Sequence, residues 1–222
     1  MGIISNETMK RLQENWSHLV EPFTIDPQVK SRIFQQLVDA YSQPHRYYHT
    51  LTHIRHSLAV LAILRSHCQN FVALQFAAWF HDSVYDPKAS DNEQKSAEFA
   101  TIALDQLGCS PELRTEIIRL ILLTQSHQTD VGDIDGQILL DADLAILGTP
   151  RSIYQHYACC IRQEYAFVGD LEYSQRRQQI VTTFLQRDRI YATEPIHCRL
   201  ESRARQNVLS DIRHQIIDIS TN

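Results

Sequence analysis

The chain lacks most of the features that would place it in a special class. Six glycines and seven prolines in 222 residues are too few for a fibrous or low-complexity chain. The five cysteines, Cys68, Cys109, Cys159, Cys160 and Cys198, are odd in number and form no Cys-x-x-Cys pair, so they read as reduced, small apolar side chains rather than as a disulfide framework or zinc site. No uninterrupted apolar run approaches membrane-spanning length, and the opening MGIISNETMK lacks the charged-then-apolar layout of a secretory signal. The expected location is therefore the cytoplasm, with no membrane association. A basic excess is also missing: the formal charge is -5, which leaves no general attraction for phosphate backbones and argues against nonspecific nucleic-acid binding. No strand-like alternation and no internal repeat is evident.

What remains is helical periodicity over almost the whole length, in one stretch of a size suited to a single domain. The pattern predicts helices over 6–20, 27–42, 51–67, 70–81, 90–107, 111–125, 137–148, 150–167, 173–187 and 197–218, an all-α chain. Punctuation supports the divisions. Asp26-Pro27 and Ser110-Pro111 each place an N-capping side chain before a proline at the first helical position, and Gly108 ends the helix that precedes Ser110. Ser42-Gln43-Pro44 ends the second helix, because the residue before proline avoids helical geometry. The stretch from Thr129 to Gly136, with two glycines and three aspartates, reads as a polar loop.

Metal-friendly residues stand at the ends of the most apolar segments. In the helix beginning near Leu51, one stripe holds Leu51, Ile54, Leu58 and Leu61, and Val60 and Ile63 lie near the angular positions of His53 and His56. This helix is apolar on both faces, so His53 faces packed protein and needs a partner. FVALQFAAWF, residues 71–80, is apolar almost throughout and runs directly into His81-Asp82. An imidazole and a carboxylate at the end of such a helix are costly unless a cation or hydrogen-bond network compensates them. A further acidic pair, Asp141 and Asp143, lies in the apolar setting LLDADLAILG. Imidazole nitrogen with carboxylate oxygen suits Mn, Fe, Co, Ni or Zn better than Mg or Ca.

Other side chains near these points can serve either chemistry or structure. Arg46-Tyr47-Tyr48-His49, just before the His53 helix, reads as a phosphate clamp at a helix N-terminus or as a surface turn, and His49 is an alternative to His53 as a ligand. Glu93 is placed to orient or deprotonate an attacking water, or simply to meet the helix dipole in a first turn; Asn92 and Ser96 share its neighbourhood. His127 follows the helix ending LILLTQS. Arg162, Tyr165 and Arg205 read as inter-helix braces.

The order of these elements, and the strings PHRYYHTLTHI, AAWFHDSVYDP, DNEQKSAEFA and LLDADLAILG, resemble the HD superfamily of metal-dependent phosphohydrolases, in particular a small stand-alone bacterial branch. The similarity extends to RQEY at 162–165 and ESRARQN at 201–207. It implies a single HD-type helical bundle with a metal-site core over about 45–148, on which the helices of 150–218 pack. It further implies His53, His81 and Asp82 as ligands, with Asp143 favoured over Asp141 as the fourth by alignment of the Ala-Asp element. Two residues apart on a helix point about 200° apart, so both aspartates cannot easily bind one ion. Dinuclear members supply two further histidines between the second and fourth ligands, whereas His127 stands alone there, which implies one divalent transition ion per chain.

The resemblance thus implies a phosphohydrolase acting by metal-activated water on a small phosphate ester or anhydride, plausibly a nucleotide. Glu93, Asp82 and His127 would be catalytic, and Arg46, His49 and Asn92 substrate-binding. The other readings are a non-catalytic nucleotide-binding sensor and, at a distance, an HD-fold di-iron oxygenase. Oligomeric state is not legible.

Overall fold

The structure, a computed structural model, describes residues 5–220, with side chains described through residue 212. It is 72% helical with ten α-helices and, among the described residues, no strand, which places the chain in the all-α class. The first residues of the MGIISNETMK segment lie outside the described range. No helix of the described residues is long and apolar enough to cross a membrane.

The chain divides into two compact units, residues 1–142 and 143–222. The first holds α1 (Asn6–Val20), α2 (Pro27–Tyr41), α3 (Leu51–Leu64), α4 (Phe71–Phe80), α5 (Asn92–Gln106), α6 (Pro111–Leu123) and all but the last turn of α7 (Ile134–Leu144). Five of these helices start on a side-chain cap. Ser5, Asp26, Thr50, Asn70 and Ser110 each accept a hydrogen bond from a backbone N–H in the first turn, satisfying donors that the helix itself cannot. Gly108, at φ +67°, supplies the left-handed residue that ends α5.

Helix α4 is the centre of this unit. Ala73, Leu74 and Phe76 to Phe80 are all buried, and α4 packs on α6 and α3. Its aromatic residues cluster with α1: Trp16 meets Phe76, Trp79 and Phe80 edge-on, the Trp16–Trp79 centroids 5.6 Å apart. The polar edges of these rings are satisfied, because Trp79 Nε1 donates to Asn15 (3.0 Å) and Trp16 Nε1 to the Lys30 carbonyl (3.1 Å). Tyr41 reaches in from α2 and donates its hydroxyl to the Trp79 carbonyl at 2.9 Å. A helix packed this tightly presents its C-terminal end, and whatever follows, in one fixed place.

Helix α7 begins three residues before its expected start. Asp133, assigned to a polar loop by composition, accepts from Gly136 N and so caps the helix. Arg119 fixes that cap with a two-pronged contact to both Asp133 oxygens (2.6 and 3.0 Å), and Thr129 adds a third bond. Burial alone would raise the Asp133 carboxyl, but these donors hold it down at about 2. Two residues later Asp135 is buried and accepts from Gln69 N (2.8 Å) and Asn70 N (2.7 Å), which ties α7 to the connection between α3 and α4.

The second unit holds a short 3-10 turn (Ala145–Gly148), α8 (Arg151–Glu164), α9 (Asp170–Gln186) and α10 (Glu194–Ser220). Helix α10 packs on the turn and on α9. Gly148 permits the closest approach: a Cβ there would lie 2.5 Å from Leu200 Cβ and 2.9 Å from the Leu200 carbonyl oxygen. Asn207 of α10 then donates to the Leu147 and Thr149 carbonyls on either side. Arg205 donates to the carbonyls of Leu185, Arg187 and Asp188 at the end of α9, and Arg162 to those of Tyr165 and Val168 at the end of α8. Both arginines act as braces. Tyr165 closes α8 as its C-cap.

Candidate metal centre

His81 is the first residue past α4, and its backbone N–H still bonds to the Ala77 carbonyl, so the ring leaves the helix in a defined direction. Its Nδ1 lies 3.0 Å from the Ala78 carbonyl. A carbonyl only accepts, so Nδ1 carries the proton and, in the neutral ring, Nε2 is left as a lone pair. That lone pair meets His53 Nε2 at 3.1 Å and Asp82 Oδ2 at 3.1 Å, and His53 Nε2 lies 3.6 Å from the same Asp82 oxygen. Both imidazoles are buried.

Two nitrogens and a carboxylate oxygen so arranged need a cation or a shared proton among them. The fit to a transition ion is good: atoms at these spacings lie about 1.9 Å from a common centre, against ligand distances of about 2.0–2.2 Å for a divalent ion such as zinc. The hydrogen bond behind His81, Nδ1 to a backbone carbonyl, is the usual support that orients a ligating histidine. Burial would raise the Asp82 carboxyl, but the neighbouring His81, His49 and His53 imidazoles hold it far below the usual carboxylate range. It is therefore negative at neutral pH.

Asp143 is half-buried in the last turn of α7. One carboxylate oxygen of Asp143 and one nitrogen each of His53 and His81 all lie within 4.8 Å of one another. Asp141 is buried and is not part of this cluster, as the angular separation of the two side chains on a helix requires.

The remaining predicted site residues are placed less uniformly. His49 is half-buried; its ring lies 6.0 Å from that of His53 and 4.2 Å from that of Tyr85, and it is close enough to influence Asp82. Arg46 is buried, and its guanidinium donates to protein: to the carbonyls of His49, Asp82 and Ser83 and to the Gln43 side chain. Asn92 closes the loop behind the site by bonding both ways to the Asp86 backbone (3.0 and 2.9 Å). Ser96, fully buried, does the same to Val84. Glu93 is half-buried in the first turn of α5. His127 is half-buried, in a left-handed conformation at φ +50° in the loop after α6, and like Glu93 lies outside the converging donor set.

Periodicity singled out neither Tyr85 nor Asp135. Tyr85 sits in an irregular turn where periodicity has nothing to say, yet its ring adjoins both His49 and Arg46. Asp135 fell in the presumed loop; the indicator was the Asp133-x-x-Gly136 spacing, which places a capping carboxylate three residues before a backbone N–H. No family model, curated protein or solved structure matches the chain.

Proposed function

We propose that the chain is a metal-dependent phosphohydrolase of the HD type, taking one divalent transition ion and acting on a small phosphate ester or anhydride, most naturally a nucleotide. The observation that carries this reading is the convergence of His53 Nε2, His81 Nε2 and Asp82 Oδ2 at 3.1–3.6 Å, with an Asp143 oxygen alongside. These are the four ligand positions that the sequence resemblance implies. Phosphate as the substrate class rests on that resemblance.

When bound, the ion would polarise a phosphoryl oxygen and lower the pKa of an attacking water. His53 and His81 would hold it through imidazole nitrogen, and Asp82 and Asp143 would offset its charge. The resemblance implies Glu93 as the group that would accept the nucleophile's proton and His127 as the one that would protonate the leaving oxygen, although both lie outside the converging donors. His49 is the polar ring placed to meet the phosphoryl group. The Arg46 guanidinium engages the chain's own carbonyls, and Asn92 uses one of its two amide N–H groups on the Asp86 carbonyl.

The test is elemental analysis of the purified chain, followed by assay of the Mn- and Co-loaded protein against a panel of nucleotides and simple phosphoesters. About one ion per chain is expected, with turnover of at least one nucleotide. In His81→Ala the activity should fall at least about 100-fold together with metal content. Metal-loaded wild type without turnover on any member, but with tight nucleotide binding, would move the assignment to a sensor; two irons per chain would move it to oxygenase chemistry.

A further inference from the structure

We propose that Arg46 is a positioning residue that fixes the His81-Asp82 turn for cation binding. The inference rests on reading His53, His81, Asp82 and Asp143 as a cation site.

The turn after α4 leaves the helix immediately, and residues 81–91 contain no regular structure. The N–H sides of the Asp82–Ser83 and Ser83–Val84 peptides are held by Ser83 N to the Phe80 carbonyl (3.0 Å) and Val84 N to Ser96 Oγ (3.0 Å). The Arg46 guanidinium holds their carbonyl sides. One terminal nitrogen, Nη1, donates to the Asp82 carbonyl at 2.7 Å and to the His49 carbonyl at 3.2 Å, while Nη2 donates to the Ser83 carbonyl at 3.1 Å. Nε is directed by the Gln43 side chain at 3.3 Å. The flat cation lies between the Tyr41 ring, 5.2 Å away, and the Tyr85 ring, 5.4 Å away.

A cation buried to 6% exposure is costly unless its surroundings compensate it. Here the compensation comes from carbonyls just past the C-terminal end of α4, where a helix is negative. The contact to His49 O adds a second function. His49 stands two residues before α3, the helix that carries His53, so one side chain ties together both elements that bear the imidazoles. The tautomer of His81 is fixed by Ala78; Arg46 holds the backbone carbonyl of Asp82, the residue whose Oδ2 lies 3.1 Å from His81 Nε2. Lysine offers a compact point charge and cannot hold three carbonyls in a planar fork.

The experiment is a Co2+ titration of the full chain against a competing chelating indicator, with the visible Co2+ spectrum recorded at saturation and folding checked by far-UV circular dichroism. Arg46→Lys and Arg46→Ala should each weaken Co2+ binding by tenfold or more and shift the visible bands, with the helical signal kept. Ethylguanidinium should restore affinity to Arg46→Ala, and ethylammonium should not, a distinction that general loss of stability would not make. Gln43→Ala, on an exposed side chain, frees Nε only and keeps the fold if the deeper variants do not; a loss of two- to threefold is expected. Wild-type affinity and spectrum in Arg46→Lys, or in Gln43→Ala where the Arg46 variants fail to fold, overturns the positioning role. Failure of the underlying reading is a separate result: wild type that binds no Co2+, or His81→Ala that binds it as tightly as wild type.

Discussion

Replacing Asp135 by alanine should destabilise the first unit by about 1–3 kcal/mol, because two hydrogen bonds worth about 0.5–1.5 kcal/mol each are lost while the part-buried N–H groups regain some water. The carboxylate is 4% exposed and accepts from Gln69 N and Asn70 N at 2.8 and 2.7 Å. Its position in the first turn of α7 adds a favourable helix-dipole contribution of about 0.3–1 kcal/mol. Both tryptophans, Trp16 and Trp79, lie in the first unit, so urea unfolding followed by tryptophan fluorescence reads this loss directly. Asp135→Asn retains one acceptor and presents a donor to the other N–H, so its loss should lie between wild type and alanine. The metal centre should respond as well. Asp143 is eight residues further along the same helix, about 12 Å away, and loosening the anchored end lets the ligand end drift. Cobalt affinity should therefore fall in Asp135→Ala even at temperatures where the unit stays folded. A stability loss under about 1 kcal/mol would refute the assignment of Asp135 as the anchor of α7.

His56 supplies a pH test. Burial, reinforced by His53 and Arg55, lowers its pKa to about 4, so the unfolded chain, with a pKa of about 6.5, takes up the proton first. Its contribution is complete above pH 6.5 and is lost as pH falls toward 4, about 2 kcal/mol being gone at pH 5. Urea unfolding at pH 7 and pH 5 should show this loss in wild type and a smaller one in His56→Gln; equal losses in the two refute it. Ser96→Ala leaves the part-buried Val84 N–H and carbonyl without their partner and should cost about 1–2 kcal/mol in thermal unfolding; an unchanged melting temperature would refute this role for the buried hydroxyl. Gly148→Ala drives a Cβ into the Leu200 backbone and should cost about 1–3 kcal/mol; an unchanged melting temperature would show that α10 yields at no cost.

The candidate metal donors were legible in the sequence because each interrupts a pattern. His53 breaks an apolar helix face, His81-Asp82 ends an almost wholly apolar helix, and Asp141 and Asp143 interrupt LLDADLAILG. Such departures from periodicity are visible one segment at a time. Helix starts were legible where the cap was a familiar one, as at Asp26-Pro27 and Ser110-Pro111, and were missed by three residues at α7, whose cap Asp133 lay among residues typical of loops. The roles of Arg46 and Asn92 were not legible: a guanidinium beside an aromatic pair has the same composition whether it faces a phosphate or three carbonyls.

By itself, then, the sequence determined the all-α class, the punctuation of the helices and the identity of the imidazoles and carboxylates with no apolar reason to be where they are. These follow from local propensity and from periodicity, which act over a few residues. Tertiary structure decided which of them meet. It brought His53 and His81 against Asp82, left an Asp143 oxygen within 4.8 Å of the two imidazoles but Asp141 outside that group, and turned Arg46 inward onto the Asp82 and Ser83 carbonyls. Distances of about 3 Å between residues 28 positions apart, as for His53 and His81, depend on how whole helices pack, and no local signal encodes them.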